Sequence, residues 1–129
     1  MPSVPQSARV FLAAGALSAA LAVVLGALGA HGLKSRLAPD MLAVYQTAVQ
    51  YQFWHALGML CVGLACLVVI ESRWLKASGL LFAAGTLAFS GSLYAIALTG
   101  TTGLGLFAPI GGAAFILGWV ALCVAALTA

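Results

Sequence analysis

The chain has 129 residues, 64% of them hydrophobic and only 5% charged, with a mean hydropathy of +1.18. That composition excludes a soluble globular domain, in which roughly a quarter of residues are charged, and specifies an integral membrane protein. The formal charge of +3 comes from Arg9, Lys34, Arg36, Arg73 and Lys76 against Asp40 and Glu71, all before or between apolar stretches. This excludes a charged relay inside the membrane, and five scattered basic residues exclude nucleic acid, which calls for a clustered patch.

A bilayer core of about 30 Å takes roughly 20 helical residues to cross, so four crossings use nearly the whole length. The expected fold is an all-α membrane protein, an antiparallel four-transmembrane-helix bundle forming a single domain over residues 1–129. Residues 1–9 read as an irregular tail. Residues 10–30 form the first span, whose apolar run exceeds the roughly 7 to 15 residues of a cleaved signal peptide. Gly15, Ala19, Ala22 and Gly26 make one small-residue ridge along it, suited to close helix approach.

His31 and Gly32 end that span, and residues 34–38 form a basic link. Pro39 suits a first helical position, with Asp40 beside it at the positive helix end. Nothing then interrupts a helix as far as Ile70, a length of about 48 Å at 1.5 Å per residue. That is too long for one straight crossing, so residues 39–50 are expected as an interfacial extension and residues 51–70 as the second span. Trp74, between Arg73 and Lys76, marks a headgroup boundary.

The third span is expected over residues 77–99. The short uncharged link at 100–103 closes a tight hairpin with the fourth, over residues 104–127, where Pro109 reads as a helix start. Gly111, Ala114, Gly118, Ala121 and Ala125 form a second small-residue ridge. Either ridge suits packing within the bundle, a homo-oligomer or a membrane-protein partner. An even number of spans puts both termini on the face carrying Arg9, Arg73 and Lys76, against Lys34 and Arg36 opposite, which places them in the cytoplasm. Cys61, Cys66 and Cys123 lack ligand or redox spacing and read as small core residues.

Polarity gathers at the face away from the termini. Thr47, Tyr51 and His55 share one helix face with Gln52 beside them, while Gln46 and Gln50 point roughly the other way. Thr86, Ser90 and Tyr94 form a matching ridge on span three. The two ridges are expected to face one another, closed off by His31 and the start of span four. The candidate ligand-binding set is therefore His31, Gln46, Gln50, Tyr51, Gln52, His55, Ser90, Ser92 and Tyr94. Interhelical hydrogen bonding is the competing use of the same groups. No metal or other cofactor is expected: His31 and His55 have no recognised ligand spacing, and Asp40 is the only carboxylate on that face. No catalytic residue is expected either, since Ser90 and Ser92 lack a nucleophile-elbow pattern and an orienting carboxylate.

The segments GALGAHGL (26–33), YQTAVQYQFWHALG (45–58), FSGSLYAIAL (89–98) and APIGGAAFILGW (108–119) resemble the YgdD-like small inner-membrane protein family, domain of unknown function 423, UPF0382-type. The resemblance covers nearly the whole chain, with four motifs in order. It implies a four-helix protein of the bacterial inner membrane and a role in membrane or envelope homeostasis. It carries over no cofactor or catalytic residue. The functional expectation is thus a non-enzymatic membrane protein acting on lipids or a partner protein at a polar cluster in one leaflet. A small oligomeric transporter or channel is the alternative.

Overall fold

The computed structural model describes residues 3–69 and 72–129. Helix α1 (Gln6–Leu28) is prolonged by a π turn at Gly29–Leu33. Helix α2 is Pro39–Val68. Helices α3 (Arg73–Gly85) and α4 (Gly91–Thr99) are joined through a second π turn, Thr86–Ser90, into one rod. A 3-10 turn at Thr102–Leu106 leads into α5, Phe107–Leu127. The four continuous rods Gln6–Leu33, Pro39–Val68, Arg73–Thr99 and Thr102–Thr128 are each long and apolar enough to cross a membrane, and the described residues contain no strand.

Local chemistry sets the ends of these helices, and α1 and α3 begin earlier than hydropathy indicates. Pro5 precedes α1 and accepts the Arg9 N–H at 3.1 Å, so the tail expected through residue 9 is helical from Gln6. Pro39 opens α2 with Asp40 in its first turn, as expected. Ser72 caps α3 by accepting from the Leu75 N–H at 3.3 Å, which draws Arg73–Lys76 out of the expected link and into the helix. Gly100, at φ 72°, ends α4 in the left-handed conformation that glycine adopts without strain. Pro109 lies in the first turn of α5, where its missing N–H costs no helical bond. The expected end of span two at Ile70, and Glu71 in the following link, lie outside the described residues.

The rods are antiparallel neighbours. Gly15 of α1 lies against Ala56 and Leu60 of α2, and Gly29 against Tyr45; Gly58 of α2 meets Phe82 of α3, and Ser90 meets Ala48; Phe82 meets Gly118 of α5, and Phe89 meets Gly111. Helix α2 is central, with α1 on one side and the α3–α4 rod on another, and α5 packs mainly on α3 and the π turn. Small residues make these approaches possible. A Cβ at Gly111 would stand 2.4 Å from the Phe89 nitrogen, and one at Gly15 would stand 2.9 Å from the Ala56 oxygen. Both ridges read from the sequence are thus used inside the chain. Phe11, Met59, Val62, Cys66, Leu75, Phe82 and Phe115 fill the core. Of the three cysteines expected there, only Cys66 is buried; Cys61 and Cys123 lie on exposed helix faces.

Lateral packing also sets the depth of the polar groups. Tyr45 packs at the level of Gly29, so the polar end of α1 at His31 falls near the Tyr45 turn of α2. Gln52 and His55 lie seven and ten residues further along, about 10 and 15 Å deeper at 1.5 Å per residue. The stretch 39–50 is accordingly divided: Tyr45, Ala48 and Val49 pack within the bundle, and the turns before them extend towards the polar end. Hydropathy measured back from Ile70 carries no information about this neighbour.

Candidate functional site

The buried stripe of α2 runs through Tyr45, Ala48, Gln52, His55, Ala56, Met59, Val62 and Cys66, steps of three and four that keep one helix face inward. Two polar arrangements grow from it, on different flanks. On the first, the Tyr94 hydroxyl donates to Gln52 Oε1 at 2.7 Å, and Gln52 Nε2 donates to the Ser18 carbonyl oxygen at 3.0 Å. One glutamine, 5% exposed, thereby ties α1, α2 and α4 together. Ser90, 1% exposed, donates to the Ala48 carbonyl at 2.8 Å. Tyr45 donates to the Leu25 carbonyl at 2.5 Å and meets the Tyr94 ring edge-on, centroids 5.3 Å apart.

On the second flank, His55 is 4% exposed and lies flat on Phe115, with centroids 3.5 Å apart and planes 9° apart. The Trp119 indole N–H is 3.1 Å from His55 Nε2, and His55 Nδ1 is 2.6 Å from the Tyr51 carbonyl oxygen. An indole only donates and a carbonyl only accepts, so Nε2 is the bare nitrogen and Nδ1 carries the proton. Both ring nitrogens of a neutral imidazole are therefore committed. Tyr51 packs at a tilt against Phe89 and Trp54 around the same cluster. Every buried side-chain nitrogen and oxygen among the described residues has a hydrogen-bond partner.

The expected meeting of the Thr47, Tyr51 and His55 ridge with the Thr86, Ser90 and Tyr94 ridge does not form. Tyr51 and His55 turn towards Phe89, Phe115 and Trp119, whereas Ser90 and Tyr94 meet Ala48, Gln52 and Tyr45. Thr47 and Thr86 bond carbonyls of their own helices, Ala43 and Phe82. The physical cause is the position of α5, whose Phe115 and Trp119 take up His55 on one flank of α2 and leave Ser90 and Tyr94 to meet Ala48 and Gln52 on the other. A π turn, in which the Gly91 N–H reaches back to the Thr86 carbonyl, joins α3 to α4. It lies where Phe89 settles on Gly111. His31 is exposed and closes nothing; Gln46 and Gln50 are exposed on the outer face of α2; Ser92 is buried but bonds the Phe89 carbonyl within its own rod. Sequence reasoning left out Tyr45, Ser18 and Trp119. Tyr45 could have been found by extending the stripe through Gln52 backwards by seven.

Between α1 and the α3–α4 rod lies a groove of about 400 Å³. The two rods meet where Phe11 covers Gly79 and part beyond it. Ala14, Leu17 and Leu21 form one wall, Leu87 and Gly91 the other, and Met59 and Gln52 the floor. Ser18, Thr86, Ser90 and Tyr94 also line it. Leu17, Leu21, Leu87 and Gly91 are exposed, so the groove opens sideways, towards lipid in a bilayer. No charged residue lines it. The arrangement offers an apolar recess with a few polar groups along it.

Residues 25–112 match the family described as "Protein of unknown function (DUF423)". The chain is 43% identical over 120 residues to the UPF0382 membrane protein SERP0230 of Staphylococcus epidermidis, covering 92% of this chain and 96% of that one. It is 42% identical over 119 residues to the UPF0382 membrane protein YwdK of Bacillus subtilis, covering 92% and 97%. No solved structure matches it. The chain is a four-helix membrane protein and belongs to the DUF423 family.

Proposed function

We propose that this protein is a non-enzymatic accessory of membrane or envelope homeostasis that takes up a lipid-like molecule in the groove between α1 and the α3–α4 rod. The observation that carries this reading is the groove itself, open sideways and walled by Leu17, Leu21, Leu87 and Gly91. A recess bounded by apolar side chains, with only a few polar groups, has the composition of a small-molecule site. The commitment of both His55 nitrogens, and of the Ser90 proton to a main-chain carbonyl, favours binding over catalysis. Lipid is the favoured partner over a second copy, because the small-residue ridges are occupied within the chain. A transporter or channel finds less support, since Phe11, Met59, Val62, Phe82 and Phe115 pack the core. The setting is the bacterial inner (plasma) membrane, with the termini and the Arg9, Arg73 and Lys76 end in the cytoplasm.

Gly91 supplies the test. It is helical, lines the groove, and a Cβ there would meet nothing within 4 Å. Gly91→Leu should fill the recess without disturbing the bundle. In a deletion strain challenged with membrane-active detergent or osmotic shock, the wild-type gene should restore resistance. Gly91→Leu, expressed to the same level, should not. Full rescue by Gly91→Leu would refute the groove as the working site.

A further inference from the structure

Resting on that reading of the groove, we infer that its occupant is an isoprenoid quinone, an uncharged ring bearing carbonyl acceptors on an apolar tail. Uncommitted donors point to acceptors. The Ser18 hydroxyl has no hydrogen-bond partner among the described residues, whereas Thr47, Thr86 and Thr99 each bond the carbonyl one turn back. A carboxamide nitrogen carries two protons. Gln52 gives one to the Ser18 carbonyl and has no acceptor for the other among the described residues, although the residue is 95% buried. Tyr94 and Ser90 direct their own protons to Gln52 and Ala48. The Ser18 hydroxyl thus lines the groove as an uncommitted donor, with the Gln52 carboxamide beside it.

Depth and charge narrow the acceptor. Gln52 lies about 10 Å inside the Tyr45 level by helical rise, and Ser18 is beside it. The headgroup and ester region of a phospholipid lies outside the roughly 30 Å hydrocarbon core, so a diacyl lipid would bring only methylene groups to these donors. A fatty acid would bring a carboxylate to a site with no cation, an expensive placement at this depth. A prenylated quinone is uncharged and carries its carbonyls on a ring soluble in the hydrocarbon region. A volume of about 400 Å³ suits the ring and the first part of its tail, and the rest can leave past exposed Leu87 and Gly91. Binding requires no electron transfer.

The test uses the full chain in phospholipid nanodiscs, photolabelled with an azido-benzoquinone bearing a ten-carbon tail, with sites mapped by mass spectrometry. Labels should fall on residues 14–21 and 83–94. A non-photoreactive benzoquinone with the same tail should compete at least about tenfold better than the tail hydrocarbon alone, and Ser18→Ala should cut that advantage about five- to tenfold, the scale of one hydrogen bond. Gly91→Leu should abolish labelling at an unchanged unfolding temperature; should that variant fold poorly, Ser18→Ala, which breaks no bond in the protein, decides alone. Equal competition by the hydrocarbon, or an unchanged advantage in Ser18→Ala, overturns the quinone while leaving the groove as a chain site. If neither the azidoquinone nor a photoactivatable phospholipid labels the groove, both readings fail.

Discussion

The His55 and Trp119 pair makes the sharpest stability prediction. Replacing His55 by Phe keeps a flat ring on Phe115 but leaves the Trp119 N–H without its acceptor. Trp119→Phe leaves His55 Nε2 without its donor. Interhelical hydrogen bonds in membranes contribute about 0.6 kcal/mol on average and up to about 1.7. A 3.1 Å bond in a flank where lipid offers no replacement belongs near the upper end, so each single variant should lose about 1 to 1.5 kcal/mol. The double variant removes both partners and strands neither. It should cost less than the sum of the singles by about 1 kcal/mol. His55→Ala also removes the stacked ring and opens a cavity, so it should lose about 3 kcal/mol or more. Reversible unfolding in mixed micelles, followed by far-ultraviolet circular dichroism, measures all four. Strict additivity of the singles, or a His55→Phe protein as stable as the wild type, would refute the structural account of this imidazole.

The two glycines facing opposite ways should separate cleanly in the same assay. Gly111→Ala puts a Cβ 2.4 Å from the Phe89 nitrogen and should lose about 2 kcal/mol or more, whereas Gly91→Ala, with open space around it, should be neutral or gain up to about 1 kcal/mol. Gln52→Leu removes the tie between α1 and α4, so hydrogen exchange in α1 should rise about tenfold or more while α3 and α5 keep their protection. Ser78→Ala deletes a 2.7 Å bond to the Gly118 carbonyl and should cost about 1 kcal/mol, read as a lower unfolding midpoint. For sidedness, cysteines placed at Ser3 and Thr128 in a cysteine-free background should resist an impermeant maleimide in intact cells and react after lysis; labelling in intact cells would reverse the topology.

What could be read from the residues was set by run length and by single strong signals. Four apolar stretches of sufficient length, Pro39 at a helix start and the flanking basic residues are visible without a neighbour. Depth and facing are not. Tyr45 falls outside the expected cluster, and Gln52 within it gains its partners on α1 and α4 only when those helices are laid alongside, because the reference level for α2 is Gly29 of another helix. The Thr86, Ser90 and Tyr94 ridge is correct in its members, all of which line the groove, but its partners on α2 are Ala48 and Gln52, not Tyr51 and His55. Periodicity within one helix cannot show which flank of α2 each neighbouring rod occupies. Trp119 carries no sequence signal of a partner, and only the packing of α5 brings its N–H to His55. Gln46 and Gln50 face outward, as their helical phase indicates, and His31, placed with the cluster by depth, is exposed as well.

The most direct test of the groove as the working site is the content of protein extracted with its native membrane in polymer nanodiscs. After exchange into a defined phospholipid, mass spectrometry should find a chain-bearing apolar molecule retained by the wild type and lost from Gly91→Leu. Identical lipid content in the two proteins would contradict the account.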